Sequence, residues 1–251
     1  MSELAKEREE DLTARLTRHA VASIEACSHF SKPFPHIFFR DFFPPDFYAE
    51  MINSWPANGY DPIKGDGTRM ALRLYGDNVD KIEIGLRDLW KAVSKTLTSS
   101  EVEQAIRLKL NDGLEIRARG DRVRGPDALK LVAQPVLYRD SDGYEIKPHP
   151  DARKKVVTMQ LYCPTDSSQQ DLGTTLYQAS LNGLRHPRSY FLEPVKTLPF
   201  LPNVGYAFVV LKAYHSPFGM SWHGRPKISA PMDKPRLSIL NTFYIDEKVG
   251  F

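Results

Sequence analysis

His149-Pro150-Asp151, followed three residues later by Lys155-Val156-Val157-Thr158-Met159-Gln160-Leu161-Tyr162, is the stretch that decides the fold. The β-branched and apolar content of 155–162 reads as a buried strand. The segment ahead of it, Tyr138-Arg139-Asp140-Ser141-Asp142-Gly143-Tyr144, is rich in turn formers. The His149/Asp151 pair therefore stands at a strand end beside a loop. Residues two apart on a strand project from one face, so both side chains can aim at a single point.

Working outward, short β segments separated by turn residues are expected near 131–139, 144–149, 156–163, 173–178, 189–195, 205–212, 220–224 and 236–244. Eight antiparallel strands in two sheets make a jelly roll. The first half of the chain reads differently. Leu12, Leu16, Ala20 and Ile24 recur every four residues, the mark of an amphipathic helix packing one face on the body. Pro33, Pro35, Pro44 and Pro45 punctuate an extended aromatic segment, after which Asp46 is expected to cap a short helix reaching about Trp55. Residues 59–80 read as a loop or irregular hairpin. Two helices are expected at 82–97 and 100–110, the second opened by a capping box of Ser100 and Glu103. The expected class is mainly β with helical support: a double-stranded β-helix, the cupin-like jelly roll. A single domain, 1–251, is expected, with 1–130 as mostly helical support and 131–245 as the jelly-roll core.

Composition bounds the function. Hydrophobic residues make up 41% of the chain and charged residues 26%, ordinary values for a globular protein that argue against extensive disorder. The formal net charge is +3, and Arg153-Lys154-Lys155 and Arg225-Pro226-Lys227 are local basic spots of the kind that are usually solvated. Nucleic-acid binding wants a longer basic stripe, whereas spots this size can attract small anions. Residues 1–10 are too charged to open a secretory signal, and no apolar run approaches the roughly 20 residues that span a bilayer, so a cytoplasmic location and no membrane partner are expected. Cys27 and Cys163 suit neither a disulfide framework nor a zinc knuckle and read as buried thiols.

A lone His223 and Arg236-Leu237-Ser238, thirteen positions beyond it, complete the pattern. Two imidazoles and one carboxylate are the ligand set that holds a non-haem Fe(II) on one face and leaves the other open. With these residues the chain resembles the 2-oxoglutarate and Fe(II)-dependent dioxygenases, of the compact type related to prolyl hydroxylases. Their pattern is HxD, a distal His usually followed by Gly, then an Arg with Ser two after it; here that is His149, Asp151, His223-Gly224, Arg236 and Ser238. Ser31-Lys32-Pro33-Phe34-Pro35-His36 and Leu172-Gly173-Thr174-Thr175-Leu176 resemble the opening segment and the mid-domain glycine strand of such enzymes, so the resemblance spans roughly residues 30 to 245.

The resemblance implies a metal site of His149, Asp151 and His223, with Fe(II), 2-oxoglutarate as co-substrate and O2. His215 is the rival for the distal ligand, but His223 keeps the shorter gap to Arg236 and the following Gly, and His215 is expected in a loop near the pocket mouth. His29, His36 and His186 have no neighbours at ligand spacing and receive no role. The guanidinium of Arg236 offers a planar fork for a carboxylate, which in this family is the distal end of 2-oxoglutarate. Ser238, Tyr162, Tyr138 and Thr174 stand where the family contacts the same molecule. The implied reaction is hydroxylation of a C–H bond with release of succinate and CO2. A carboxylate at position 151 argues against halogenation, where a small residue takes its place. Thr242, where alkylation-repair demethylases carry a second Arg, makes a nucleic-acid substrate unlikely. A small polar or anionic metabolite is the expected substrate, with a peptide or protein as the alternative and a non-oxygenase metal-binding jelly roll as the third reading. Arg69, Arg73, Tyr144, Lys147 and Trp222 are candidates for the substrate pocket. Oligomeric state leaves no signature.

Overall fold

The computed structural model describes residues 3–63, 67–179, 192–216, 219–229 and 231–246. Helix α1 (Glu3–Ala26) is the amphipathic helix expected from the four-residue recurrence, with Leu16, Ala20 and Ile24 fully buried. It packs on α3 (Arg87–Leu97) and α4 (Ser100–Lys109). Helix α2 (Pro45–Asn53) starts one residue earlier than expected, with Pro45 at its first position and Asp46 in the first turn. Asp46 does not cap it; its carboxylate pairs with Arg15 at 2.6 Å. In α4 the cap is Ser99, not Ser100: the Ser99 hydroxyl accepts the Val102 N–H at 3.2 Å, while Glu103 turns to Arg107. A further helix, α5 (Asn111–Asp121), carries no sequence expectation at all.

Eight strands of the second half build the two sheets, close to the expected boundaries: β5 (Val132–Asp140), β6 (Ile146–His149), β7 (Lys155–Tyr162), β8 (Thr174–Ala179), β9 (Leu192–Leu198), β10 (Val204–Val209), β11 (His223–Arg225) and β12 (Arg236–Tyr244). The expectation at 189–195 begins outside the described residues, which resume at Leu192. Apart from β8 and β9, which pair with each other, consecutive strands from β5 on alternate between sheets. One holds β10-β7-β12-β5 and the other β6-β11-β8-β9, all antiparallel, which is the double-stranded β-helix. The larger sheet is extended at both edges. On the β10 side the aromatic segment forms β1 (Ser28–Phe30) and β2 (His36–Arg40), and on the β5 side the expected irregular hairpin is β3 (Asp61–Pro62) with β4 (Arg69–Arg73).

The outer face of the larger sheet carries the main core. Val157, Met159 and Leu161 of β7, Ala207 and Val209 of β10, and Ile239 and Phe243 of β12 are buried against the helices. The helical layer thus covers one sheet, and a second, aromatic-rich cluster that includes Tyr162, Leu176, Leu198, Tyr206 and Phe208 draws on strands of both sheets. Cys163 is buried, whereas Cys27 is only half-buried; both are free thiols. No described helix is long and apolar enough to cross a membrane.

Candidate active site

Strand pairing brings the first two imidazoles together. His149 of β6 lies directly opposite His223 of β11, with ring centroids 4.5 Å apart. Gly224 permits this approach, because a Cβ there would stand 2.8 Å from the Ile146 carbonyl oxygen of β6. Asp151 follows the end of β6, and its carboxylate oxygens lie 3.8 Å from the Nε2 atoms of both His149 and His223. One ligand atom from each of the three falls within 4.8 Å of the others, and they are the only such group of His, Cys, Asp and Glu among the described residues. Each imidazole is held by its far nitrogen: His149 Nδ1 lies 3.0 Å from the Lys147 carbonyl and His223 Nδ1 3.0 Å from the Ser221 carbonyl, which turns Nε2 toward Asp151.

Protonation states suit a cation. Burial pushes His223 down to about 4, with His149 adding to the effect against the pull of Asp151, so its imidazole is neutral near neutral pH. Burial alone would raise Asp151, but the Lys155 ammonium, His223 and the Thr158 hydroxyl hold it well below the usual carboxylate range. Lys155 Nζ and Thr158 Oγ1 donate to its two oxygens at 2.6 Å each.

A second cluster adjoins the first. Arg69 of β4, Asp140 of β5 and Arg236 of β12 are direct cross-strand neighbours, so the register alone places one carboxylate between two guanidiniums. Arg225 reaches the same carboxylate from the opposite sheet. Asp140 is fully buried, and burial would raise it, yet Arg69, Arg236 and Arg225 hold it low. Arg69 grips it through Nε at 2.6 Å and Nη2 at 3.0 Å, Arg236 through Nη1 at 3.1 Å and Arg225 through Nη2 at 3.3 Å. Arg225 and Lys155, expected on solvated basic spots, both turn inward. The Arg236 fork is only partly available: Nε donates to the Leu172 carbonyl at 2.8 Å and Nη1 is engaged by Asp140, which leaves Nη2 buried without a hydrogen-bond partner.

The three ligand candidates and the three guanidiniums, though not Asp140 itself, line one cavity of about 90 Å³, together with Ile146, Thr158, Gln160, Thr174, Tyr206 and Leu240. Thr158 and Gln160 occupy it because even-numbered positions of β7 face inward. Gln160 donates to the Ser238 hydroxyl at 3.2 Å and accepts from the Tyr206 hydroxyl at 2.8 Å, which also lies 3.0 Å from Thr174 Oγ1. Asp140, Lys155, Thr158, Gln160, Tyr206 and Arg225 carried no expectation as site residues. A signal existed for two of them, since Thr158 and Gln160 interrupt an otherwise apolar strand on one parity.

The other expected residues divide. Arg69 and Thr174 line the cavity. Ser238 sits behind it, accepting from Gln160 and, at 3.4 Å, from Arg236. Tyr162 is fully buried, its hydroxyl accepting the Thr174 N–H at 3.0 Å and its ring 5.3 Å from the Arg236 guanidinium. Tyr138 and Tyr144 stack on Arg69, each ring 4.2 Å from the guanidinium, and Tyr144 also lies 4.5 Å from that of Arg225. Arg73 stands at the far end of β4, 3.5 Å from Asp61 at the surface. Lys147 is exposed, and Trp222, half-buried, gives its carbonyl to Tyr177. His215 lies in a turn, but its imidazole is covered and bridges Asp121 and the Lys212 N–H. His186 lies outside the described residues.

A donor set of two imidazoles and one ionised carboxylate fits a divalent first-row metal, and an unpartnered buried guanidinium nitrogen beside it fits an incoming carboxylate. No family model and no curated protein sequence matches the chain. Among solved structures it is similar to a prolyl-4-hydroxylase from Pseudomonas putida, with a TM-score of 0.45 and 15% identity over 91% of this chain and 98% of that one. It is similar also to a prolyl 4-hydroxylase from Phytophthora capsici, with a TM-score of 0.48 and 14% identity over 96% of this chain and 66% of that one. HygX from Streptomyces hygroscopicus, solved with nickel and 2-oxoglutarate bound, matches with a TM-score of 0.48 and 10% identity over 83% of this chain and 82% of that one.

Proposed function

We propose that the protein is a 2-oxoglutarate- and Fe(II)-dependent oxygenase that hydroxylates a C–H bond of a small polar metabolite. The observation that carries this reading is the shared cavity: His149, Asp151 and His223 converge there, and the buried, unpartnered Nη2 of Arg236 borders the same space. With Fe(II) and 2-oxoglutarate bound, the chemistry supplied is oxidative decarboxylation, in which one atom of O2 enters succinate, the other enters the substrate C–H bond, and CO2 leaves.

The chain's own residues supply position and charge. Asp151 and the two imidazoles would hold the metal. Lys155 and Thr158 fix the orientation of Asp151 and keep it ionised. Arg236 takes the distal carboxylate of 2-oxoglutarate through Nη2, with Thr174 and Tyr206 beside it. Ser238 and Gln160 orient this wall, and Ile146 and Leu240 contribute its apolar surface. The ring of Tyr162 supports the Arg236 guanidinium from behind.

The test uses the Mn(II)-loaded protein, which is expected to bind 2-oxoglutarate without turning it over. Loss of Arg236 leaves the incoming carboxylate desolvated and unpaired at a cost of about 2–5 kcal/mol, a weakening of tens- to thousands-fold. Calorimetric titration of Arg236→Ala is expected to show that weakening while metal content stays at the parent level, with Arg236→Lys recovering part. Equal affinity in parent and Arg236→Ala would remove the assignment. His149→Ala and His223→Ala are each expected to abolish succinate formation without unfolding the chain.

A further inference from the structure

Three guanidiniums converge on the cavity, and one carboxylate answers them. The second acid there, Asp151, is already matched by Lys155 at 2.6 Å. Asp140 Oδ2 alone receives donors from Arg69, Arg236 and Arg225, and the Arg225 contact is the longest of the three at 3.3 Å. The distal carboxylate of 2-oxoglutarate, taken by Arg236, accounts for one of the two surplus charges. One remains.

That charge resides on Arg225. Arg69 is saturated, with two short bonds to Asp140 and an aromatic ring close to its guanidinium from both Tyr138 and Tyr144. Arg225 is 3% exposed and lines the cavity, and its buried Nη1 has no hydrogen-bond partner among the described residues. A buried guanidinium nitrogen without an acceptor is costly, and an arriving anion relieves that cost. The position of Arg225 matters as much as its charge. Arg225 and the candidate metal ligand His223 are two residues apart on β11, and both line the cavity.

We infer that Arg225 is a second anion-binding position and that it anchors a carboxylate of the small-molecule substrate beside the metal, an inference that rests on the function proposed above. A planar fork matches a planar carboxylate. The substrate class is therefore an aliphatic carboxylic acid or amino-acid derivative, oxidised at a carbon near its carboxylate.

The test reads binding instead of turnover. Saturation-transfer NMR under argon, on protein loaded with Zn(II) and saturated with 2-oxoglutarate, is run with propionate, propionamide and methyl phosphate as probes. Propionate is expected to bind, propionamide is not, and Arg225→Met is expected to weaken propionate by roughly tenfold or more while 2-oxoglutarate affinity stays within about threefold. Arg225→Lys keeps the charge and is expected to retain part of the binding. Arg225→Met leaves Asp140 its bonds to Arg69 and Arg236, so the buried carboxylate stays paired. Propionate binding that ignores Arg225→Met overturns the inference. So does a loss of 2-oxoglutarate affinity in Arg225→Met as large as that in Arg236→Ala, which would place Arg225 in the co-substrate clamp, or methyl phosphate binding more tightly than propionate. If 2-oxoglutarate does not bind at all, the proposed oxygenase function fails by itself. The propionate titration, repeated without co-substrate in an Arg236→Ala background, then still decides Arg225, and equal binding with and without Arg225→Met counts against it.

Discussion

Asp140 is the residue on which the buried charges of the cavity balance. Replacing it by Asn leaves Arg69, Arg225 and Arg236 facing one another without a counter-ion, and breaking a buried ion pair from one side costs about 3–5 kcal/mol. Asp140→Asn is expected to lose stability of that order in urea denaturation at neutral pH. The pH dependence follows from the lowered folded-state value. The unfolded carboxyl titrates near about 3.9, so the Asp140 contribution is fully present above that pH and is lost as pH falls through the lower folded-state value. The gap between parent and Asp140→Asn should therefore be constant above about pH 5 and close only in stronger acid; a gap that closes at neutral pH would contradict the ion-pair account. At this scale the sequence was partly legible. His149, Asp151, His223 and Arg236, which the structure brings to one cavity, could be singled out because their spacing is local or follows a pattern. Asp140 and Arg225 could not be, since Asp140 reads locally as a turn former and Arg225 as a solvated basic spot. Their roles come from cross-strand register and from the approach of two sheets, neither of which is written in neighbouring residues.

Among the elements, α5 shows most plainly why a segment escapes a sequence reading. Gly113 and Gly120 weaken its helical pattern, and alanine is ordinarily better than glycine in a helix by about 1 kcal/mol. Here the glycines are spacers. A Cβ on Gly120 would overlap the His215 ring and come within 2.9 Å of the His215 Cα, and one on Gly113 would lie 2.8 Å from Val209 of β10. Gly120→Ala is therefore expected to destabilise by about 1–3 kcal/mol despite its better propensity, because the packed turn at His215 must shift. A thermal melt that rises would show that the turn gives way freely. The start of α4 makes the complementary point. Two adjacent serines offered the cap; the spacing to Glu103 pointed to Ser100, and the structure uses Ser99. Ser99→Ala is expected to cost about 0.5–2 kcal/mol and Ser100→Ala to be near neutral, a difference that denaturation of the two variants resolves.

Over the whole molecule, the larger sheet separates stability from binding by strand parity. The eight strands of the jelly roll were legible because each is short, β-rich and bounded by turn residues. The layering was legible in outline, because helical periodicity filled the first half of the chain. What the pattern left open was which face of β7 carries the chemistry. Odd positions 157, 159 and 161 pack on the helices, while Thr158 and Gln160 line the cavity. Neighbouring substitutions on one strand should then fail in different ways. Met159→Ala leaves a void in the main core and is expected to cost about 2–5 kcal/mol of stability with metal affinity unchanged in the folded protein. Thr158→Val nearly keeps the volume but removes the hydroxyl that donates to Asp151 at 2.6 Å. Loss of a residue that orients a ligand typically weakens metal binding by about 10–100-fold, so Thr158→Val should lower Mn(II) affinity on that scale while the fold persists. Mn(II) titration followed by electron paramagnetic resonance, paired with urea denaturation in the presence of a chelator, measures both quantities on each variant. If Met159→Ala weakens the metal as much as Thr158→Val does, the sheet transmits packing changes directly to the site, and the division of labour between its two faces does not hold.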